Sequence, residues 1–181
     1  LWDRRERRLV AARDRLGIKP FYYACIDGMF LFASEIKALL HHPAIRAEVH
    51  FDALQDYIDL QYCLKDKTLF KGIHRLLPGY CLTWQDNRLS VEKYWDLDFT
   101  PAEYGGSDEA LAELLRDAVR LRLRSDVPVG THLSGGLDSS AIACLAAPQL
   151  DAPLSVFTGG FTAANRYDES RYALIVAEYL G

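Results

Sequence analysis

The 181 residues predict an α+β layered antiparallel sheet over residues 1–97, then an α/β parallel sheet over residues 108–181. Three observations carry this expectation. Short apolar and aromatic runs in the first half are bounded by turn chemistry. The second half reads strand, helix, strand, helix, an alternation that implies parallel pairing. Between them "DFTPAEYGGS", residues 98–107, is rich in Gly and Pro and poor in aliphatics, the texture of a linker.

In chain order, "RRLVAARD", "FYYACID" and "MFLFASE" read as strands. Asp27-Gly28 joins the second and third, and suits a two-residue hairpin because both central residues need positive φ. "FYYACI" does not alternate, so these strands are expected to be covered on both faces. A short helix is predicted over 35–41, ended with the help of Pro43, and another over about 52–60. In the second, Leu54, Tyr57, Ile58 and Gln61 form the inward stripe, with Phe51 at its edge. "TLFKGIHRLLPGYCLTW" then supplies a Pro78-Gly79 turn, and a hairpin forms around Asp86-Asn87 before "RLSVEKYWDLDF".

Ser107 is a good N-cap, with Asp108 and Glu109 in the first turn and Arg120, Arg122 and Arg124 at the far end, as the helix dipole favours. Leu111, Leu114, Leu115, Ala118 and Leu121 are expected to be its buried face. "VPVGTHL" is a strand, "SGGLDSS" a turn, "AIACLAA" a helix reaching Pro148, "LSVFTGGF" a second strand and "ESRYALIVAEYLG" a second helix.

Charge and composition exclude several functions. The net charge is −4 and the pI about 5.7, so no overall basic field holds nucleic acid or an anionic membrane. The arginines near the start are interleaved with Asp3, Glu6 and Asp14. No apolar run reaches membrane-spanning length. Cys25, Cys63, Cys81 and Cys144 form no C-x-x-C pair and read as buried free thiols of a reducing compartment, the cytoplasm. His41, His42, His50, His74 and His132 show no metal spacing. Arg13 and Asp14 in "RDRLGIKP" read as an Arg-Asp structural bridge beside a turn containing Gly17, in preference to an active-site pair.

Chemistry concentrates in "SGGLDSS". Ligands of parallel sheets sit where strands end and helices begin, and this turn occupies that place. Gly135 and Gly136 admit close backbone approach, the amides of the first helical turn point outward, and Ser134, Ser139 and Ser140 add hydroxyl donors. A phosphate chain fits these donors. Asp138 would repel it unless Mg²⁺ lies between them, since Mg²⁺ takes one or two carboxylates together with phosphate oxygens. Asp138 is therefore the expected metal ligand. Gly136 and Leu137 stand where a Walker A loop needs Lys and Ser/Thr, so γ-phosphate hydrolysis is not indicated. The residues alone also allow a capped strand-to-helix turn with no ligand.

"SGGLDSS" after an apolar strand resembles the pyrophosphate loop of N-type ATP pyrophosphatases, and "SDVPVGTHLSGGLDSSAIACLA" resembles the glutamine-hydrolysing asparagine synthetases in particular. "ARDRLGIKPFYY", "FASEIKALL" and "LFKGIHRLLPGY" resemble the later strands of the class II glutaminase domain that precedes the synthetase domain in those enzymes. The resemblance implies that residues 1–97 end a glutaminase domain, that 98–107 link, and that 108–181 begin an ATP pyrophosphatase domain. It implies ammonia release from glutamine, adenylation of the aspartate side-chain carboxylate by ATP-Mg²⁺, and displacement of AMP by ammonia. Carried over by position, Ser134, Gly135, Gly136, Asp138, Ser139 and Ser140 would hold pyrophosphate and metal, and Leu133 would contact the nucleotide. Gly159 would be a second nucleotide contact, at a position where a larger aliphatic is usual.

Glu169 reads as a first-turn acid serving the helix dipole, with the same cleft as its other placement. The family's nucleophile is an N-terminal Cys, whereas this sequence starts with Leu1, and none of its four cysteines offers a free α-amine. No catalytic residue is therefore assigned, and the chain is expected to be a fragment that turns over neither substrate by itself. Glutamine, aspartate and ATP are the partners implied for the longer parent, and a homodimer is the assembly left open. Two other readings stay open: a relative acting on another carboxylate, as β-lactam-forming synthetases do, and a nucleotide-binding scaffold with an inactive site.

Overall fold

A computed structural model describes residues 1–100, 106–160 and 168–181. The chain divides into two compact units, Leu1–Thr100 and Pro101–Gly181. The expected linker at 98–107 lies partly outside the described residues.

The first unit contains β1 (Trp2–Asp3), β2 (Arg8–Ala12), β3 (Tyr22–Ile26), β4 (Met29–Ala33), α1 (Ile36–Leu40), α2 (Phe51–Leu60), β5 (His74–Arg75), β6 (Tyr80–Gln85) and β7 (Arg88–Lys93). Two antiparallel sheets result, one ordered β1-β2-β6-β7 and one ordered β4-β3-β5. Both expected hairpins form by the expected means. Asp27 and Gly28 have φ of 48° and 73°, and Asp86 and Asn87 have 50° and 59°, so each turn follows the right-handed strand twist. Tyr23, Leu76 and Leu82 are the buried centre between the sheets, with Ala11, Phe21, Phe30, Tyr80 and Leu89 packed around them. The rings of Phe30 in β4 and Trp84 in β6 stack at 5.4 Å, one contact by which the two layers meet. This is the α+β, antiparallel arrangement the strand pattern predicted.

Coverage on both faces holds at the middle of β3, where the consecutive residues Tyr23 and Ala24 are both buried. It fails in β4, where Phe32 is 52% exposed. The cysteines are free as expected but not buried: Cys25 is exposed and the other three are half-buried.

In α2 the inward stripe is different from the predicted one. Ala53 is the buried residue, Leu54 is half-buried, and Phe51, Tyr57 and Ile58 are exposed. Gln61 closes the helix in the left-handed conformation, its N–H donating to the Tyr57 carbonyl at 2.8 Å. At the other end the His50 ring accepts from the Ala53 N–H, a cap the histidine count did not suggest.

Arg13 and Asp14 are structural, but they do not bridge each other. The Arg13 guanidinium donates to the carbonyls of Lys19 (2.8 Å), Gly17 (2.8 Å) and Leu76 (2.7 Å). Asp14 accepts from the N–H groups of Ile18 (2.8 Å) and Lys19 (3.0 Å), and these bonds hold its carboxyl below the ordinary range. Each side chain satisfies backbone that the tight 13–21 loop cannot pair with itself, and that demand outweighs pairing between neighbours.

The second unit contains α3 (Asp108–Arg122), β8 (Gly130–His132), α4 (Leu137–Ala146), β9 (Ser155–Phe157) and α5 (Ser170–Leu180). Strands β8 and β9 pair in parallel with Gly130, Thr131 and His132 opposite Ser155, Val156 and Phe157. Leu133, Ala143 and Ala173 are its buried core, lined by Leu154, Val156, Val176, Ala177 and Leu180. Ser107 caps α3 as expected, its hydroxyl accepting from the Ala110 N–H at 3.3 Å. The expected buried face of α3 is not buried. Val119 is its covered residue and Ala118 is half-buried, while Leu111, Leu114 (64%), Leu115 and Leu121 are exposed. The helix packs chiefly on α4 and takes a hydrogen bond from the Gln149 side chain at the Arg116 carbonyl, which leaves its leucine row largely uncovered among the described residues.

Candidate functional site

The loop between β8 and α4 is built from its own short side chains. Leu133 extends the parallel ladder, its N–H donating to the Phe157 carbonyl at 2.9 Å, and its side chain, 1% exposed, anchors the loop in the core. The chain then turns at Gly135, whose φ is +80°. A Cβ on Gly135 would lie 2.4 Å from the Tyr172 Cβ and 2.6 Å from the Ala173 nitrogen, so the loop and the start of α5 touch backbone to backbone. Gly136 has ordinary φ and occupies the N-cap of α4 without a side-chain cap. That leaves amides of the first turn without a capping side chain, the arrangement that attracts anions.

The serines organise this turn. The Ser134 and Ser139 hydroxyls are 3.0 Å apart, the Ser139 hydroxyl also accepts from the Ser134 N–H at 3.3 Å, and the Ser134 hydroxyl accepts from the Gly136 N–H at 3.3 Å. The Ser140 Oγ is buried without a hydrogen-bond partner. Asp138 stands exposed in the first turn of α4. Among the described residues no three His, Cys, Asp or Glu side chains converge as a metal cage. A single exposed carboxylate beside hydroxyls and amides suits Mg²⁺, which keeps several waters and takes phosphate oxygens. Asp138 is the residue that would hold it.

Beside the loop lies a concavity of about 240 Å³ lined by His132, Leu133, Ser134, Phe157, Thr158, Gly159 and Glu169. It brings Leu133, Ser134, Gly159 and Glu169 together at the carboxyl ends of β8 and β9, while Asp138 is not among its lining residues. Gly159 is open, with nothing within 4 Å of where its Cβ would be. Glu169 is not the first-turn acid of α5 that its position suggested. The neighbouring Asp168 Oδ1 takes the Ser170 N–H at 3.0 Å, and hydrogen bonding by Ser170, through its side chain first and then this N–H, holds the Asp168 carboxyl below its ordinary value. Glu169 instead occupies the N-cap position with no side-chain cap bond and faces the concavity. His132, Phe157 and Thr158 were not singled out by sequence; their signal is only that they end the two strands.

Two antiparallel sheets are followed by a parallel strand pair with a glycine turn and helices, and comparison with known proteins matches a family to each part. A family profile described as a glutamine amidotransferase domain matches residues 1–95, and one described as asparagine synthase matches residues 110–181. The chain is 40% identical over 175 residues to asparagine synthetase [glutamine-hydrolyzing] 3 of Bacillus subtilis, covering 92% of this chain and 28% of that protein. It is 35% identical over 186 residues to putative asparagine synthetase [glutamine-hydrolyzing] 2 of Methanocaldococcus jannaschii, covering 99% and 36%. A protein named amidase chyE, of Penicillium rubens, is 35% identical over 201 residues, covering 100% and 29%. The chain belongs to the glutamine-hydrolysing asparagine synthetase family. It spans about three tenths of the length of most of the curated relatives it matches.

Proposed function

We propose that the protein carrying this chain forms asparagine from aspartate, using glutamine as the nitrogen source and ATP as the activating substrate. In this reading residues 1–97 close a glutaminase domain, 98–107 link, and 108–181 open a parallel α/β ATP pyrophosphatase domain. The observation that carries the proposal is the Ser134–Ser140 turn at the carboxyl end of β8, next to a concavity of about 240 Å³, in a chain whose two halves match the two family profiles in order.

The chemistry follows from the groups present. A carboxylate is a poor acyl donor. Attack by its oxygen on the α-phosphorus of ATP forms an acyl adenylate and breaks the bond to pyrophosphate; ammonia then adds to the activated carbonyl and AMP leaves. The residues of this chain act on the departing pyrophosphate. Amides of the first turn of α4 and the hydroxyls of Ser134, Ser139 and Ser140 are donors aimed where charge accumulates. The orphaned Ser140 Oγ gains a partner when an oxyanion arrives. Gly135 and Gly136 keep the backbone close enough to donate. Mg²⁺, when bound at Asp138, supplies charge neutralisation between that carboxylate and the phosphates. Leu133 and Gly159 bound the nucleoside side of the site. No helix among the described residues is long and apolar enough to cross a membrane.

The test is exchange of labelled pyrophosphate into ATP by the full-length protein. Exchange that requires aspartate supports the proposal, and exchange that ignores aspartate refutes it. A second reading, amide formation on a different carboxylate, is favoured by the 35% identity to proteins named amidases. Exchange stimulated by another carboxylate in place of aspartate selects it.

A further inference from the structure

The concavity beside the loop contains an exposed carboxylate, Glu169, whose side chain has no partner among the described residues. Glu169 lines it together with Ser134, yet the helix-capping bond at this end of α5 is made by Asp168. Glu169 contributes to the helix only through its backbone, the carbonyl accepting from the Tyr172 N–H at 2.9 Å. Its side chain makes no hydrogen bond to a side chain and no ion pair among the described residues, and no Lys or Arg lines the concavity with it. The nearby Arg171 guanidinium is turned to its own neighbour, donating to the Tyr172 hydroxyl at 2.6 Å.

A carboxylate accepts hydrogen bonds and donates none when ionised. Asp138 stands in the turn that would hold Mg²⁺ with the phosphates, whereas Glu169 lines the concavity that Asp138 does not reach, so the ligand group that suits Glu169 is a donor rather than an oxyanion. A nucleotide whose phosphates occupy the Ser134–Ser140 turn has such donors one step along, in its ribose hydroxyls. The same solution is used in dinucleotide-binding folds, where an acid beyond the strand ends takes a ribose hydroxyl.

We propose that Glu169 accepts a hydrogen bond from a ribose hydroxyl of the bound nucleotide and so makes the site select ribonucleotides over deoxyribonucleotides. The inference rests on the reading of the turn as a phosphate seat. Hydrogen bonds to a charged acceptor discriminate strongly, because removing the donor leaves the desolvated carboxylate unpaired. Gly159 lines the same concavity and has nothing within 4 Å of where its Cβ would be, which leaves room for the sugar and base.

The experiment is calorimetric titration of the full-length protein carrying this chain, with Mg²⁺ present, using ATP, 2′-deoxy-ATP, 3′-deoxy-ATP and inorganic pyrophosphate. One of the deoxy nucleotides is expected to bind on the order of tenfold more weakly than ATP, and which one identifies the hydroxyl. Glu169→Ala, which removes the acceptor, should bind ATP about as weakly as the unmodified protein binds that deoxy nucleotide, with pyrophosphate binding not weakened. Equal affinity for all three nucleotides, with pyrophosphate still bound, overturns the role of Glu169 and leaves the phosphate seat standing. Discrimination that survives in Glu169→Ala also overturns it. Binding of neither ATP nor pyrophosphate refutes the seat itself and this inference with it.

Discussion

Replacing Gly135 with Ala tests whether the turn is held by backbone contact. Two costs arise from one methyl group. At φ +80° a side chain is strained, by roughly 1–2 kcal/mol for the left-handed region. The new Cβ would also stand 2.4 Å from the Tyr172 Cβ and 2.5 Å from its carbonyl carbon. The second atom is backbone, so rotamer changes cannot relieve the overlap, and α5 must move from the loop at a further cost of about 1–3 kcal/mol. Together these give about 2–5 kcal/mol against a typical domain stability of about 5–15 kcal/mol. Gly136→Ala is the matched control, because its Cβ would meet only the Ser134 Oγ at 3.4 Å and its φ is −72°. Urea unfolding followed by far-UV circular dichroism should show a midpoint for the second unit lowered by roughly 1–2.5 M in Gly135→Ala, using a slope of about 2 kcal/mol per molar. Hydrogen exchange at the Tyr172 and Ala173 amides should accelerate in the same variant. Equal midpoints for the two variants would refute the claim that loop and helix touch through backbone.

Asp138→Ala should leave the unfolding free energy in urea within about 0.5 kcal/mol of the unmodified chain, as expected of an exposed side chain, while Mg²⁺-dependent ATP binding falls at least about tenfold in titration; unchanged binding would favour an inactive scaffold. Arg13→Lys should destabilise the first unit by about 1–3 kcal/mol in urea, because an ammonium cannot reach the carbonyls of Gly17, Lys19 and Leu76 at once. Asp14 and Asp56 have carboxyls held below 3.8, Asp14 by the Lys19 and Ile18 amides and Asp56 by Lys67 and the Leu64 amide. Their contribution is present above the unfolded value of 3.8 and lost as pH falls through the lower folded values, so the first unit should weaken below about pH 4 and Asp14→Asn should flatten that slope in acid titrations of stability.

What could be read from sequence was whatever is decided within a few residues. The two hairpins were legible because Asp27-Gly28 and Asp86-Asn87 accept positive φ at both central positions. The β8-turn-α4 unit was legible because strand, glycines and helix are consecutive. Long-range coverage was not. The leucine row of α3 showed that one side is apolar, but a stripe does not reveal whether a neighbour exists to cover it. Arg13 and Asp14 looked like a pair because they adjoin, whereas their partners are carbonyls and amides that only the folded loop presents. At the start of α5 the sequence reading singled out Glu169 as a first-turn acid, whereas the folded backbone gives the capping bond to Asp168. The concavity itself depends on parallel pairing of residues about 25 apart, which juxtaposes His132 with Phe157.

The pairing of β2 with β6 has a consequence for how the chain is made. Leu9 lies opposite Trp84, and the Arg13 side chain bonds to the carbonyl of Leu76. During synthesis the early strand therefore leaves the ribosome long before its partner exists, and β3, β4, α1 and α2 emerge in between. Structure dominated by such distant contacts folds slowly, since loop closure precedes any reward. The β6-β7 hairpin, local and turned by Asp86-Asn87, can form as soon as it is exposed. It then offers β2 a ready edge, so the last strands of the first unit complete the sheet that the first ones began.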